Sequence, residues 1–548
     1  MEQLSSLDAA FVDAEDQDRN ASFAIASIAV FEGPAPSYEE FLAAIAQRLP
    51  LVPPYRRKLR KVPLGLGPPV WVDDPNFDLR YHIRHTALPA PGGDQQLRRL
   101  MARVMTQRLD RDYPLWEYWL VEGLDQGRWA LISKVHHAMV DGISGTDLYR
   151  VIFDTSPEPP PLPAVDDRRA PPEPSGLELV ARAALNAAQL PVHGGGTIQR
   201  LLANPEAALR QAGDTIRGLA RYARALPPAP ESSLSGPIGR QRRYTWARAS
   251  LGDVKTIKNE LGGTVNDVFL SAITSGFRAL LLDRGEEPTP SMVPSLIPVS
   301  VRTAGDESPY GNRVSALVAS LPVDIADPVQ RLVAITHEMA TLKASSQSEA
   351  GDAFVSLRRY TPFALASMFV RLAFSIPQRE IVTVTTNVPG PQQPLYGLGR
   401  RLVEIIPYVP IATTLRTGVS IFTYNGQVTF GITGDYATTP DLDVLASGIE
   451  DGIAELLAAI PSRSRAQPGK HGHSKVPKTA KGAKTAKGAK TAKGAKRSKA
   501  AKSSKAGKTA KAVKKAKGAT RAGVVKAVTS ADGTKSAAAR SVKFPIAS

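Results

Sequence analysis

The stretch from Trp129 to Gly142, WALISKVHHAMVDG, decides the interpretation of this 548-residue sequence. Its first seven residues form a mostly apolar run that is typical of a buried strand. Two adjacent histidines, His136 and His137, follow directly, and Asp141 opens a glycine-containing turn ahead of a helical pattern from about 146 to 153. Because strand ends that face a turn often present site residues, this stretch predicts a functional site at the end of the strand.

The two histidines suit proton transfer to or from a substrate. The unperturbed pKa of histidine is about 6.5, so histidine is a natural base for removing the proton of a hydroxyl group near neutral pH. On these residues alone, a buried histidine pair beside an Asp-Gly turn is an alternative explanation, because a His-x-x-x-Asp match by itself is common.

Outward from this stretch, the chain divides into four zones. Residues 1–155 contain the histidines and mix helix and strand patterns. Residues 156–239 open with eight prolines between Pro157 and Pro174 and continue with a helical pattern, which predicts a linker. Residues 240–461 form a second mixed zone, and residues 462–548 form a tail.

Both mixed zones show helix signals separated by strand signals. Ser37 and Glu40 predict a capped helix in the first zone. In the second zone, a helix from Asp253 is expected to end at Gly262-Gly263, and Thr264 is expected to cap the next helix. Strand-like runs lie at 292–301, 314–323, 381–386, 419–424 and 427–433. This alternation predicts an α/β (α+β) fold with two domains and mixed sheets.

The net charge of +18 belongs to the tail and not to the rest of the chain. Residues 462–548 contain 25 Lys and Arg and one acid, so they carry +24 while residues 1–461 carry −6. The tail repeats Thr-Ala-Lys-Gly-Ala-Lys three times and buries too little apolar surface to offset its ordering entropy, so we expect it to be disordered. Its partner is either an anionic membrane or lipid-droplet surface, which is our hypothesis, or nucleic acid.

Several classes of protein are excluded by what the sequence lacks. With no cysteine, the chain forms no disulfide and no acyl-thioester on an enzyme thiol. His337-Glu338 has threonine where a zinc helix needs its second histidine, so we expect no metal, and we also expect no permanently bound cofactor.

The sequence also bears on the location of the protein. The N-terminus lacks the basic and apolar regions of a signal peptide, and no stretch reaches about 18 uninterrupted apolar residues. We therefore expect a cytoplasmic protein whose contact with a membrane is confined to a surface. The apolar segment 362–377 is either a membrane contact or a buried helix.

The histidine run resembles the active-site motif of the bacterial wax ester synthase/diacylglycerol acyltransferase family. That family belongs to the coenzyme A-dependent acyltransferases related to chloramphenicol acetyltransferase. Further blocks resemble the family in the same order: Leu4 to Phe11, Pro114-Leu115-Trp116-Glu117, Asn266-Asp267, Pro298 to Arg302, Asn387 to Pro391, and Tyr424-Asn425-Gly426 with Phe430-Gly431 and Asp435. These blocks cover about residues 4–461, and the lysine-rich tail lies outside the resemblance.

The resemblance implies roles for the residues of the motif. His137 is the general base, and His136 shapes the pocket or orients its neighbour. Asp141 is a brace that pairs with an arginine, for which Arg302 is our candidate. Gly142 lets the chain turn tightly behind the histidine.

Further residues are assigned supporting or substrate-binding roles on the same resemblance. Asn266 and Asp267 support the site, although helix capping explains Asp267 equally well. Pro114 and Trp116 are substrate-binding candidates, with a core position as the alternative for Trp116. Thr423 is a third candidate, and it stands where the family usually has serine.

The resemblance implies two chloramphenicol-acetyltransferase-like domains, joined by the helical linker, with the site in a channel between them. The expected reaction is direct acyl transfer from acyl-CoA, a co-substrate, to diacylglycerol, which gives triacylglycerol. Because such lipids reside in bilayers and droplets, the resemblance implies a protein that is peripheral at the inner membrane face or at lipid droplets. A fatty alcohol that gives a wax ester is the alternative acceptor, and acylation of a polyketide or sugar hydroxyl is a more distant one. A non-catalytic protein that tethers lipid droplets or nucleic acid is the alternative from another class.

Overall fold

Two hydrophobic cores organise the protein in this computed structural model. The structure describes residues 2–4, 6–139, 152–158, 171–188, 230–300, 314–360 and 381–461. Residues up to Gly469 form one compact unit. The first core draws mainly on residues before Asp154, and the second draws on residues from Leu234 to Ile460. Two cores agree with the two-domain fold class that the sequence predicted.

The first part of the chain forms seven described strands and five described helices. The strands are β1 (Glu2–Gln3), β2 (Ala24–Phe31), β3 (Arg57–Arg60), β4 (Val70–Asp73), β5 (Ile83–Ala87), β6 (Trp116–Glu122) and β7 (Trp129–His136). The helices are α1 (Ser6–Gln17), α2 (Tyr38–Arg48), α3 (Leu79–His82), α4 (Asp94–Thr106) and α5 (Gly176–Ala188). Helix α2 begins as predicted, because the hydroxyl of Ser37 accepts the N–H of Glu40 at 3.2 Å.

The second part forms eight described strands and four described helices. The strands are β8 (Arg242–Ser250), β9 (Val293–Ser300), β10 (Val314–Leu321), β11 (Thr383–Pro389), β12 (Tyr396–Gly397), β13 (Arg400–Tyr408), β14 (Thr417–Tyr424) and β15 (Gln427–Asp435). The helices are α6 (Leu251–Leu261), α7 (Val265–Asp283), α8 (Pro328–Tyr360) and α9 (Leu442–Ala458). All five strand-like runs of the sequence overlap strands of the structure.

The first six-stranded sheet carries the histidine strand β7 near its middle. Its order is β12-β13-β2-β7-β6-β5, in which β5 and β6 are parallel and the other neighbours are antiparallel. The domain boundaries stay predictions. The sequence assigned residues 240–461 to a domain of their own, but part of this range belongs to the first sheet. Residues Tyr396–Tyr408 complete the first sheet, because β13 pairs with β2 and buries Leu402, Ile405 and Ile406 in the first core.

The second six-stranded sheet is also mixed, as predicted. Its order is β10-β9-β11-β14-β15-β8, with β11 parallel to both of its neighbours and the other pairs antiparallel. Helices α7 and α9 pack against each other, and both contribute to the second core. Within the described ranges, α7 is the one helix with the length and apolarity of a membrane span, but 72% of its apolar window is buried, so it is a core helix in this structure.

Local signals set the boundary between α6 and α7. Helix α6 ends at Gly262, whose φ of 92° is a conformation that glycine adopts readily. The hydroxyl of Thr264 then accepts the N–H of Asp267 at 3.2 Å, and the carboxylate of Asp267 accepts the N–H of Thr264 at 2.8 Å. This capping box fixes the first turn of α7, where the Asn-Asp motif lies.

A small three-stranded sheet, in the order β1-β4-β3, lies next to α1. Helix α5 packs on it through Leu179, which joins Val70 and Val72 in a separate apolar cluster. Strand β1 precedes α1 and pairs with β4, and Lys61 after β3 forms an ion pair with Asp16 near the end of α1. Both ends of α1 are therefore attached to this small sheet.

The second sheet is held against the first at β13. Arg248 on β8 donates to Glu404 on β13 at 2.7 and 2.9 Å and to Asp94 in the first turn of α4 at 2.9 Å. A β-carbon added to Gly431 would lie 1.7 Å from the carbonyl oxygen of Pro407, so glycine is required where β15 approaches β13. These contacts hold β8 and β15 of the second sheet against β13 of the first sheet.

Candidate active site

The two histidines lie where β7 leaves the first sheet. His136 is the last residue of β7, pairs with Ala24 on β2, and donates its backbone N–H to the carbonyl oxygen of Leu115 at 2.9 Å. His137 begins a short 3-10 turn and donates its backbone N–H to the carbonyl oxygen of Phe23 at 3.0 Å. The residues just before β6 and β2 therefore fix the backbone of both histidines.

Lys134 anchors this end of β7. It is fully buried, and its ammonium group donates to the carbonyl oxygens of Val104 at 3.0 Å and Gln107 at 2.6 Å, at the C-terminal end of α4. A cation is favourable at a helix C-terminus. Burial lowers the pKa of Lys134, although the negative charges of Glu117 and Glu15 act to raise it. The lysine thus holds the histidine strand against α4.

The ring of His136 is turned toward protein groups. His136 is 1% exposed, and the N–H of Ala138 donates to its Nδ1 at 3.1 Å. In the neutral ring, this bond places the proton on Nε2. That atom lies 3.7 Å from Oε2 of Glu15. The ring of His136 is therefore held by Ala138 on one side and faces Glu15 on the other, and the role that the resemblance implies for it stays a prediction.

Glu15, near the end of α1, is a buried carboxylate that ties this helix to the histidine strand. Its Oε1 accepts the N–H of Phe23 at 3.0 Å, and its Oε2 accepts from Arg111 at 2.7 Å. Burial acts to raise the pKa of Glu15, but His136 and Arg111 outweigh burial and lower the pKa to about 2. Glu15 is therefore ionised at neutral pH.

His137 lies at the edge of an apolar cluster. Its ring centroid is 4.6 Å from that of Phe11, and Phe11 is 5.1 Å from Phe23. Ala14 packs beside Phe11, and Ala412, from the segment after β13, completes the cluster. His137 itself is half-buried. The cluster combines α1, the residues just before β2 and the second half of the chain, and it places an apolar surface against one side of the histidine ring.

Glu15 and Arg111 were not identified from the sequence. Glu15 follows Phe11 by four residues, so the two share a face of α1, and this spacing was the available signal. No local pattern indicates Arg111, which reaches Glu15 across 96 positions of the chain.

The Asn-Asp motif meets a second predicted block. The side-chain oxygen of Asn266 accepts from the amide of Asn387, at the end of β11, at 3.2 Å. Asp267 is 2% exposed, and one of its carboxylate oxygens caps α7 as described above. The capping interpretation of Asp267 therefore has direct geometric support, while Asn266 links α7 to the Asn-Val-Pro-Gly-Pro segment.

Thr423 holds the same segment from β14. Its hydroxyl accepts the N–H of Gly390 at 3.2 Å and the amide of Gln392 at 3.2 Å. A β-carbon on Gly390 would lie 2.2 Å from the carbonyl oxygen of Thr423. Thr423 is 6% exposed, so its hydroxyl serves to fix this segment, and a substrate-binding role for it stays a prediction.

Trp116 and Pro114 lie in the wall beside the histidine strand. Trp116 is fully buried, stacks between Tyr55 and His82, and donates its indole N–H to the carbonyl oxygen of Tyr55 at 2.8 Å. Pro114 is also buried. This geometry favours the core position for Trp116 over the substrate contact that the sequence also allowed.

Three of the predicted site residues, Asp141, Gly142 and Arg302, lie outside the described residues, as does the apolar segment 362–377. The basic tail, residues 462–548, also lies outside them. Among the residues that are described, no group of three or more His, Cys, Asp or Glu side chains is arranged to hold a metal ion.

Comparison with known proteins matches most of the chain. Residues 4–269 match the wax ester synthase/diacylglycerol acyltransferase catalytic domain, and residues 310–457 match the C-terminal domain of the same family. The chain belongs to the wax ester synthase/diacylglycerol acyltransferase family. One relative, named "probable diacylglycerol O-acyltransferase tgs1" in Mycobacterium tuberculosis, is 40% identical over 466 residues, which cover 84% of this chain and 96% of that protein.

A solved structure gives the same result. The wax ester synthase/diacylglycerol acyltransferase from Marinobacter aquaeolei VT8 matches with a TM-score of 0.59 and 25% identity, over 83% of this chain and 98% of that chain. Membership of the family confirms the resemblance drawn from the motif blocks and the predicted fold class. It also confirms that the chain is an O-acyltransferase. The matched catalytic domain contains both the histidine run and the Asn-Asp motif.

Proposed function

We propose that the protein is an acyl-CoA:diacylglycerol O-acyltransferase that forms triacylglycerol, with His137 as its general base. The observation that carries this proposal is the position of His137, half-buried at the end of β7 against Phe11 and the apolar cluster. The relative named as a diacylglycerol O-acyltransferase supports diacylglycerol as the acceptor.

The proposed reaction is a direct transfer between two substrates. His137 removes the proton of the acceptor hydroxyl while that oxygen attacks the thioester carbonyl of acyl-CoA. The tetrahedral intermediate then collapses and the carbon–sulfur bond breaks. The coenzyme A thiolate that leaves receives from the imidazolium the proton that came from the acceptor hydroxyl. No cysteine is present to carry an acyl group, so one transfer without an acyl-thioester enzyme agrees with the composition.

His136 and Glu15 would act as positioning residues for this base. The carboxylate of Glu15 faces Nε2 of His136, and the N–H of Ala138 occupies the Nδ1 side. Glu15 also binds the backbone of Phe23, whose carbonyl oxygen accepts the N–H of His137. Glu15 thus contacts the ring of His136 directly, and it holds the backbone of His137 indirectly through Phe23.

A fatty alcohol is the second candidate acceptor, with a wax ester as the product. The solved relative from Marinobacter aquaeolei VT8 is named for both activities, and both acceptors present a primary or secondary hydroxyl to the same base. Purified protein with labelled palmitoyl-CoA and either diacylglycerol or hexadecanol distinguishes them. Labelled triacylglycerol as the main product supports our proposal, and exclusive formation of wax ester contradicts it.

A histidine substitution tests the role of His137. We expect His137→Ala to lower kcat by at least about 100-fold, the usual effect of removing a general base. His85→Ala is a matched control, because His85 is exposed on β5 and pairs with Glu122 at 2.7 Å. Equal activity of the two variants would refute the assignment of His137 as the general base.

A further inference from the structure

The loop between α1 and β2, residues 18–23, carries a backbone contact of His137. All six of its residues are described, and none of them belongs to a helix or a strand. Its last residue, Phe23, donates its N–H to Glu15 at 3.0 Å, and its carbonyl oxygen accepts the N–H of His137 at 3.0 Å. A displacement of this α1–β2 loop would therefore move the backbone of the proposed base.

Two arginines bind the carbonyl oxygens of the α1–β2 loop. Arg108, two residues after the end of α4, donates to the carbonyl oxygens of Asp18 and, at 2.9 Å, of Ala21. Arg242, the first residue of β8, donates its Nη2 to the carbonyl oxygen of Asn20, between those two, at 2.5 Å. Hydrogen bonds from a charged donor are stronger than those between neutral groups. The loop is thus held from two separate elements of the fold.

Arg242 is itself anchored on the second sheet. It is 4% exposed, and its Nη1 donates to the carbonyl oxygens of Gly239 at 2.6 Å and Gln241 at 3.1 Å. Its backbone lies opposite Asp435 on β15, whose carboxylate accepts the N–H of Gly239 at 2.7 Å. Its backbone N–H donates to the hydroxyl of Thr106, at the end of α4, at 3.3 Å. One side of the guanidinium is therefore fixed to its own strand, and Nη2 reaches across to the loop.

The planar guanidinium suits this position. Its donors are arranged in a rigid fork, so one group can bind carbonyl oxygens on two sides at once. A buried cation is tolerated where its donors find acceptors, and the carbonyl oxygens of Asn20, Gly239 and Gln241 supply them. Because Asn20 and Arg242 are 222 positions apart, this contact joins the loop of the first half to the second sheet.

We propose that Arg242 is a positioning residue for His137, because it holds the α1–β2 loop whose last residue fixes the backbone of that histidine. The inference rests on the proposed function, in which His137 is the general base. Proton transfer needs the imidazole within hydrogen-bond reach of the acceptor hydroxyl, and a misplacement of about 1 Å can lower the rate by about 100-fold. The second sheet therefore contributes to the geometry of the base, although Arg242 takes no part in the chemical step.

The test uses two variants of Arg242 in the full chain and a control at its neighbour. Arg242→Gln removes the guanidinium, and Arg242→Lys keeps the charge on a single ammonium group that lacks the fork of donors. Arg243→Gln is the matched control, because neighbours on a strand point to opposite faces. Arg243 donates to the carbonyl oxygen of Tyr436 at 2.8 Å and lies over its ring.

The kinetic result should separate kcat from KM. We expect Arg242→Gln to lower kcat by about 10-fold or more and Arg242→Lys to lower it less, with the KM for acyl-CoA unchanged. Arg243→Gln should behave like the wild type. If Arg242→Gln fails to fold, Arg242→Lys, which keeps the buried charge, carries the same test. A normal kcat for Arg242→Lys and Arg242→Gln contradicts the inference.

A double-mutant cycle shows whether Arg242 acts through the base. Arg242→Gln is combined with His137→Ala, and the residual kcat is compared with that of His137→Ala alone. We expect a change of less than about twofold, because the base whose position Arg242 sets is already missing. An equal fold loss in both backgrounds would assign Arg242 to the general stability of the fold and would overturn the inference.

Hydrogen exchange provides a measurement that does not depend on activity. Peptides that contain Phe23 and His137 should exchange at least about 10-fold faster in the Arg242 variants and at the wild-type rate in Arg243→Gln, because exchange requires local opening of these hydrogen bonds. Unchanged exchange at both positions, or equal acceleration throughout the chain, overturns the inference even if acyl transfer is normal. Full activity of His137→Ala overturns the proposed function instead, while the exchange rates still decide whether Arg242 holds the loop.

Discussion

Replacing Glu15 with glutamine tests whether a buried charge holds the two histidines in place. The side chain of Glu15 is 3% exposed, accepts from Arg111 and the N–H of Phe23, and faces His136. Glutamine keeps the shape and one acceptor oxygen but removes the charge. Arg111 would keep Asp16 as an ion-pair partner, so the loss falls mainly on the contacts around the histidines.

The pKa of Glu15 gives the size and pH dependence of the effect. The fall from an ordinary 4.5 to about 2 corresponds to about 3 kcal/mol at about 1.4 kcal/mol per pKa unit. Because the folded-state pKa is depressed, this stabilisation is fully present above the ordinary value of 4.5 and is lost as the pH falls toward about 2. Glu15→Gln should therefore lower the free energy of unfolding by up to about 3 kcal/mol at pH 7 and by progressively less as the pH falls below 4.5.

Urea unfolding at neutral pH and at about pH 3 measures this difference between wild type and variant. Asp16→Asn is the matched control, because Asp16 is adjacent and 37% exposed, and its ion pairs with Arg111 and Lys61 should each contribute about 1 kcal/mol or less at the surface. We also expect Glu15→Gln to lower kcat and leave the KM for acyl-CoA unchanged, as for a positioning residue. Equal losses of stability at both pH values, or a loss no larger than that of Asp16→Asn, would refute the reasoning.

Three further predictions concern the core, the second half and the tail. Trp116→Phe removes the 2.8 Å bond to Tyr55 and should cost about 1–3 kcal/mol of stability without changing the KM for acyl-CoA, whereas a changed KM at intact stability would indicate a substrate contact. Gly390→Ala should lower Tm, because the new β-carbon lies 2.2 Å from the oxygen of Thr423, while Gly239→Ala, with its nearest neighbour at 3.5 Å, should be tolerated. Removal of residues 470–548 should weaken binding to anionic vesicles at low salt, and equal binding by both forms would end the anionic-lipid hypothesis for the tail.

The elements that the sequence predicted are those determined by neighbouring residues. Ser37 caps α2, and Gly262 and Thr264 end one helix and start the next, because capping depends on side chains within three or four positions. The pairing of β13 with β2 was not predicted. It joins residues more than 360 positions apart, and it depends on how the apolar faces of the two strands pack in the first core.

The candidate site was predictable only in part, for a similar reason. The histidine run is local and carries a family motif, so His136 and His137 were identified before the fold was known. Glu15 looks in sequence like one of several acidic residues on a solvated helix, as Asp16 beside it is. Only the packing of α1 against β7 shows that Glu15 is buried and charged while Asp16 is exposed.

Helix α1 contacts both histidines of the candidate site, which the histidine motif alone does not indicate. One face of this 12-residue helix places Phe11 against His137 and Glu15 against His136, and another face carries Asp16, which forms an ion pair with Lys61 beside the small sheet. Attachment at both ends holds α1 in place, and with it the contacts that α1 makes to both histidines. We therefore expect the position of the two histidines to depend on α1 as well as on the strand that carries them.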